Sequence, residues 1–282
     1  MSDQIIGLHE WFETPPGQYL LDWERAWLAE TVADVFGYHA LQLGLPQLDG
    51  LESNRMPHRW LATETAADSA DHGDAAAKVA RRATLVTSFS ALPFPANSLD
   101  LVLLPHALEL SSDPHGVLRE VARVLVPEGR VVICGFNPMS LWGLRQRRGH
   151  VYRRLGFDGL FLPEAGEFIG YLRLRDWLRL LDLDIESGRF GCWRPAFNHA
   201  GWLQRFAWMD KAGARWWPIL GAIYKVVAVK RVRGMTLLTP GWKSAAWRPN
   251  TQVSVANSTG GTSAGSVIVN PSEKQGAACE CG

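Results

Sequence analysis

The side chains best suited to take part in a reaction follow a short apolar run at positions 101–104. His106 and Glu109 stand directly after this run, where a strand of a sheet would end. A histidine can take a proton from a substrate O–H or N–H group, because its ordinary pKa lies near neutrality. His106 is therefore a possible base with Glu109 as its acidic neighbour, but the sequence assigns a catalytic role to neither.

The segment Asp100–Phe136 has the pattern strand, loop, helix, turn, strand. Leu101–Leu104 and Val131–Cys134 are continuous apolar runs, typical of strands that are covered on both faces. Asp113 followed by Pro114 predicts a helix start, with an N-cap and a proline at the first helical position. Two such strands joined by a helix pair in parallel through a right-handed crossover. The sequence therefore predicts an α/β protein.

Further elements extend this sheet on both sides. Helical spacing of apolar residues predicts helices over 18–36 and 171–181, and strands are expected at 39–44, 58–62, 84–87, 185–192 and 224–231. The two late strands suit an antiparallel edge of the sheet.

Composition and cysteine usage restrict the classes of protein. The chain has 282 residues, a net charge of +1 and 47% hydrophobic residues, so it can bury a full core and shows no bulk preference for nucleic acid. The four cysteines form no disulfide framework or zinc pattern, which favours a reducing cytoplasm and no metal site. No signal peptide and no apolar stretch of about 20 residues is present, so we expect no membrane partner.

Two motifs resemble a known family. Residues 92–102 (LPFPANSLDLV) and 118–130 (LREVARVLVPEGR) resemble the class I S-adenosylmethionine-dependent methyltransferases of the type 11 group. The resemblance implies a doubly wound, Rossmann-like, mainly parallel seven-stranded sheet with an antiparallel edge, helices on both faces, and S-adenosylmethionine as cofactor. Ligands of such sheets lie at the carboxyl ends of the strands.

The same resemblance implies a set of cofactor-site positions. The glycine-rich loop of the family corresponds to residues 42–47, where Gly44 is retained and Leu45 and Pro46 replace further glycines. The ribose carboxylate corresponds to Glu64, and the adenine-contacting aspartate corresponds to Ser88, beside Phe89. After the fourth strand, Leu104 and His106 are expected at the methionine end. A dedicated catalytic base is optional, because methyl transfer depends mainly on positioning of the nucleophile.

The region after the fifth strand is expected to face the substrate. Asn137 and Trp142 are the substrate candidates, against the alternative of an ordinary capped turn. Arg145–Arg154 is a basic cluster that is either a solvated face or an anion-binding surface, and Trp202–Trp217 holds an aromatic cluster that is either core or a lid.

These observations predict three regions and one function. Residues 1–37 form an N-terminal helical segment, 38–241 a methyltransferase-like domain with 137–221 as a lid-like region, and 242–282 a disordered tail. The expected function is S-adenosylmethionine-dependent methylation of a small-molecule acceptor. The alternatives are a methyltransferase-fold interaction module without cofactor, favoured by the degenerate loop, and a tRNA-modifying methyltransferase. The oligomeric state stays open.

Overall fold

The computed structural model describes residues 11–64, 84–154, 161–162 and 168–232, and of 150–154 the backbone only. The predicted disordered tail at 242–282 lies outside the described residues.

The described part of the chain forms seven strands and seven α-helices. In order they are α1 Pro15–Ala33, β1 His39–Leu43, β2 His58–Thr63, β3 Leu85–Val86, β4 Leu99–Pro105, α2 Ala107–Leu110, α3 Pro114–Val124, β5 Leu125–Phe136, α4 Leu141–Arg154, α5 Tyr171–Leu180, β6 Leu183–Gly191, α6 Ala200–Arg205, α7 Trp208–Trp216 and β7 Ile223–Lys230. A 3₁₀ turn, Pro218–Leu220, precedes β7.

The strands form one sheet in the order β3-β2-β1-β4-β5-β7-β6. The pairs from β3 to β5 are parallel, with Leu41 opposite Val102 and Val102 opposite Val131. Strand β7 runs antiparallel to both β5 and β6. The predicted fold class, a mainly parallel Rossmann-like sheet with antiparallel pairing at one side, is confirmed.

The helix starts follow local capping chemistry. Asp113 caps α3 as predicted, since its Oδ1 accepts a hydrogen bond from Gly116 N at 2.9 Å. Helix α1 begins at Pro15, three residues before the predicted start, because Thr14 is its N-cap and the prolines at 15 and 16 occupy first-turn positions that need no N–H.

Strand β5 is longer than its apolar run indicates. It begins at Leu125, which pairs with Leu99, and the next paired residue is Arg130, opposite Leu101. The residues between them form an irregularity in which Glu128 has a φ of 64°. Helix α3 ends at Val124 with Leu125 as its C-cap, so the Pro127–Gly129 segment, expected from the sequence to stop the helix, lies inside the strand instead.

Both faces of the sheet are covered by apolar layers. Helix α1 packs on one face through Leu20, Leu28 and Val32, and α3 and α5 pack on the other through residues such as Val121 and Leu178. The N-terminal helical segment therefore shares a core with the sheet. Among the described residues, no helix is long and apolar enough to cross a membrane.

A buried ionic network joins α1 to the carboxyl ends of β4 and β5. His106 lies between two carboxylates, with Nε2 at 3.1 Å from Glu24 Oε1 and Nδ1 at 2.8 Å from Glu109 Oε2. Glu109 Oε1 accepts the backbone N–H of Phe136 at 2.6 Å. All three side chains are buried, so the network fixes α1 against the sheet at this edge.

The network keeps His106 charged. Burial by itself lowers the pKa of His106, but the charge of Glu24 and the hydrogen bonds to Glu109 and Glu24 outweigh it and raise the pKa to about 10. Burial raises the pKa of Glu109 above its usual range, and His106 partly offsets that effect. Breaking such a pair leaves an uncompensated buried charge.

We expect His106→Gln to lower the free energy of unfolding by about 3–5 kcal/mol, because it leaves Glu24 and Glu109 buried without their cation. Urea denaturation measures this change. His199→Gln is the matched control, since His199 is exposed at the start of α6 and its replacement should change stability by no more than about 0.5 kcal/mol. Equal effects of the two substitutions would contradict the stabilising role assigned to His106.

The stabilisation that His106 provides should also depend on pH. Because the folded-state pKa of His106 is raised from 6.5 to about 10, its contribution is complete below pH 6.5 and is lost as pH rises towards 10. Lys225 acts oppositely, since burial lowers its pKa from 10.5 to about 7. The difference in unfolding free energy between wild type and His106→Gln isolates the histidine, and it should shrink between pH 7 and 10.

Candidate cofactor and acceptor site

The loop after β1 is closed by the side chain of Gln42. Its Nε2 donates to the carbonyl oxygens of Gly44, Leu45 and Leu48 at 3.2, 3.1 and 2.6 Å, and its Oε1 accepts from Gly50 N at 2.9 Å. Gly44 and Leu45 both have left-handed φ values, 75° and 49°. A conformation that is costly for Leu45 is therefore held by a buried amide rather than by additional glycines.

Glu64, Ser88 and Phe89 meet beside this loop. Glu64 follows β2 directly, is exposed, and accepts the N–H of Phe89 at 3.3 Å through Oε1. The Phe89 ring is buried next to Gly44, where a Cβ would lie 3.6 Å from the ring. The Ser88 hydroxyl is exposed and 3.0 Å from that of Ser90. Four of the predicted cofactor positions thus come together at the carboxyl ends of β1–β3.

These residues fit the adenosine half of S-adenosylmethionine. An exposed carboxylate at the end of β2 suits two ribose hydroxyls, and Ser88 with the Phe89 ring offers a polar and an apolar contact for adenine. On the methionine side the loop departs from the family pattern, because the carbonyl groups of Gly44, Leu45 and Leu48 are already bound by Gln42.

Leu104 and His106, predicted at the methionine end, are both fully buried. Leu104 belongs to the apolar layer below α3, and both ring nitrogens of His106 are bound by Glu24 and Glu109. The network leaves His106 no free nitrogen for a substrate proton. Contact of these two residues with the cofactor stays a prediction.

Asn137 and Trp142, the predicted substrate residues, hold neighbouring segments in place. Asn137 Nδ2 donates to the carbonyl oxygens of Ile219 and Gly221 at 2.7 and 2.9 Å. Trp142 is 1% exposed, and its Nε1 donates to Arg194 O at 2.7 Å. Both residues therefore shape the wall of the region after β5, and a direct substrate contact stays a prediction.

A cavity of about 500 Å³ lies between α1 and the α6–α7 segment. Tyr19 contributes to its lining, and its ring centre is 6.4 Å from that of Trp142. Because Trp142 belongs to the segment that follows β5, this contact places the cavity near that segment. The other principal lining residues are Gln18, Asp22, Trp23, Arg194, Leu203, Gln204 and Asp210.

Three polar residues of this cavity form one unit. Arg194 Nε is 2.9 Å from Asp210 Oδ2 and its guanidinium carbon is 4.2 Å from the Tyr19 ring centre, while the Tyr19 hydroxyl donates to Asp210 Oδ1. Burial, with the hydrogen bond to Asp210 and the charge of that carboxylate, raises the pKa of Tyr19 well above its usual range, so the phenol stays protonated. Sequence reasoning missed this unit, because its members are up to 191 residues apart and form no local motif.

Lys225 is a further buried basic residue. It was not predicted from the sequence, because it lies within an otherwise apolar strand. Its Nζ lies 2.8 Å from the centre of the Trp27 ring. Burial lowers its pKa to about 7, and the neighbouring Cys134 and Glu24 offset part of that decrease.

Comparison with known sequences gives a methyltransferase match. Residues 48–133 match the sequence model of a family described as methyltransferase domain. The protein YafS of Escherichia coli (strain K12) is 36% identical over 147 residues, which are 52% of this chain and 54% of YafS. The ubiquinone/menaquinone biosynthesis C-methyltransferase UbiE of Pasteurella multocida is 34% identical over 79 residues, 28% of this chain and 27% of UbiE. The chain thus spans about half the length of the first relative and about a quarter of the second.

Comparison with solved structures agrees with the fold. A complex between the Haloferax volcanii Trm112 methyltransferase activator and a methyltransferase includes a chain that matches with a TM-score of 0.52. The match covers 80% of this chain and 97% of that chain at 15% identity, so it shows the fold alone.

The family model matched by residues 48–133 and the strand order of the sheet agree with each other, and the family model implies S-adenosylmethionine as the cofactor. Over residues 48–133 the chain is therefore similar to a methyltransferase-domain family, and its sheet has the fold of the matched methyltransferase structure.

Proposed function

We propose that the protein transfers the methyl group of S-adenosylmethionine to a small-molecule acceptor. The observation that carries the proposal is the exposed Glu64 carboxylate at the end of β2, bonded to Phe89 and adjacent to the left-handed loop at Gly44. This arrangement stands at the carboxyl edge of a doubly wound sheet, where such folds bind their ligands.

The residues of the chain would bind and orient both reactants. When bound, the cofactor would supply an electrophilic methyl group on a sulfonium. A substrate O, N or C atom would bond to that methyl carbon in line as its bond to sulfur breaks, with S-adenosylhomocysteine as the leaving group. Glu64 would hold the ribose hydroxyls, and Ser88 and Phe89 the adenine. The chain's contribution is then mainly positioning, so the absence of a free base at His106 is compatible with the reaction.

The cavity beside Trp142 supports a small acceptor. Its volume of about 500 Å³ lies within the range of about 300–1,000 Å³ that is usual for small-molecule sites. Its lining combines the rings of Tyr19 and Trp23 with the amides of Gln18 and Gln204. Such a lining suits a neutral, partly apolar molecule, because the charges of Arg194 and Asp210 neutralise each other and Asp22 is paired with Arg25.

The first prediction concerns the cofactor. Wild-type protein should bind S-adenosylhomocysteine in a calorimetric titration, and Glu64→Gln should weaken the affinity about tenfold to a hundredfold, since it removes a charged acceptor of two hydrogen bonds. Glu52→Gln, a change of an exposed carboxylate elsewhere, should leave the affinity unchanged. Absence of heat with both S-adenosylmethionine and S-adenosylhomocysteine would instead indicate a methyltransferase-fold module without cofactor.

The second prediction concerns the acceptor. With methyl-labelled S-adenosylmethionine and a cell extract, label should enter the small-molecule fraction, and Gln204→Trp should block this by filling the cavity. The variant should still bind S-adenosylhomocysteine as wild type does, because Gln204 lines the cavity and Glu64 does not. The control is Asp184→Trp, an exposed position near the amino end of β6 that does not line the cavity. Labelling of tRNA instead would favour the alternative of a tRNA-modifying enzyme.

A further inference from the structure

The segment from α7 to the start of β7 exposes large apolar side chains that a folded domain usually buries. Trp208, Trp216 and Ile219 are 59%, 73% and 64% exposed, and Trp217 and Leu220 are also exposed. Such concentrations of exposed apolar side chains mark interaction surfaces. These five side chains, together with Met139 and the basic residues described next, are called the tryptophan–basic surface below.

Helical spacing brings basic groups among the tryptophans. Trp208, Lys211 and Arg215 are three and four residues apart and share the outer face of α7, and all three are exposed. The opposite face is anchored, because Gly213 packs so tightly on Trp193 that a Cβ would lie 2.2 Å from that ring. The orientation of the outer face is therefore fixed by packing.

The surface continues onto the loop after β5. Asn137 Nδ2 donates to Ile219 O, and Asn137 Oδ1 accepts from Met139 N at 3.1 Å, so the loop that carries the exposed Met139 is tied to the 3₁₀ turn. The helix that follows this loop, α4, exposes Leu141 and Leu144 and also Arg145 and Arg147. The same pattern of aliphatic and basic side chains thus extends from one segment to the other.

The charge of the two segments is one-sided. Residues 137–149 and 193–221 contain seven arginines and lysines and one acidic residue, Asp210. Asp210 is paired with Arg194 in the wall of the cavity. A second copy of this chain would therefore meet like charge at the same surface, whereas an anionic partner would be attracted.

We propose that the tryptophan–basic surface docks on an anionic phospholipid bilayer. Tryptophan favours the boundary between headgroups and acyl chains, aliphatic side chains gain by entering it, and lysine and arginine bind the anionic headgroups. Nucleic acid also attracts basic and aromatic groups, but Ile219, Leu220 and Met139 have no ring to stack on a base. The proposal revises the expectation of no membrane partner, and it concerns docking on the surface of a bilayer without spanning it.

Flotation with phosphatidylcholine vesicles, with and without about 30% phosphatidylglycerol, tests the proposal. Wild-type protein should float with the anionic vesicles, less so in high salt, and should stay unbound with phosphatidylcholine alone. Trp208→Ser/Trp216→Ser/Ile219→Ser and Lys211→Glu/Arg215→Glu should each weaken binding about tenfold or more.

Matched controls lie outside the tryptophan–basic surface. Leu180→Ser replaces a side chain that is 81% exposed near the amino end of β6, and Arg119→Glu/Arg179→Glu reverses two exposed charges on α3 and α5. Both should bind vesicles as wild type does, and circular dichroism should show every variant folded. The proposal is wrong if wild type does not float with anionic vesicles, if the controls lose binding equally, or if only transfer RNA binds and vesicles do not.

Discussion

The ion pair between His106 and two carboxylates is the constraint on which the arrangement of this molecule depends. Glu24 comes from α1, His106 from the end of β4 and Glu109 from α2, and Glu109 also binds the backbone of Phe136 at the end of β5. Desolvating these groups is costly, and the cost is offset only when all partners are present. The network therefore holds α1 over the carboxyl edge in one position, and α1 in turn supplies one wall of the cavity.

The buried side chain of Gln42 shapes the loop after β1, on the cofactor side of the site. Gln42 replaces the backbone freedom of a glycine-rich loop with four side-chain hydrogen bonds, and it leaves Gly44 beside the Phe89 ring. The family's loop accommodates its cofactor with glycines, whereas this chain uses a fixed turn. The adenosine side retains an exposed acid at Glu64, so the two halves of the proposed cofactor site have diverged to different degrees.

The sheet could be predicted from the sequence because its signals are local: apolar runs, the cap at Asp113 and the motifs on either side of β4. The grouping of Gly44, Glu64, Ser88 and Phe89 followed from the family resemblance together with the parallel order of the strands. The partners of His106 could not be predicted, since Glu24 is 82 residues away and looks like the polar face of an amphipathic helix. Arg194 and Asp210 were missed for the same reason, and Asn137 and Trp142 proved to bond backbone groups that only the fold brings near.

Hydrogen–deuterium exchange of the full chain, with and without saturating S-adenosylhomocysteine, tests the central claim most directly. We predict slower exchange in the ligand complex at residues 42–50, at Glu64 and at 88–89, while the segment Leu180–Asp184, at the amino end of β6, stays unchanged. Unaltered exchange in all of these segments, or protection confined to another part of the chain, would contradict the placement of the cofactor at the carboxyl ends of β1–β3.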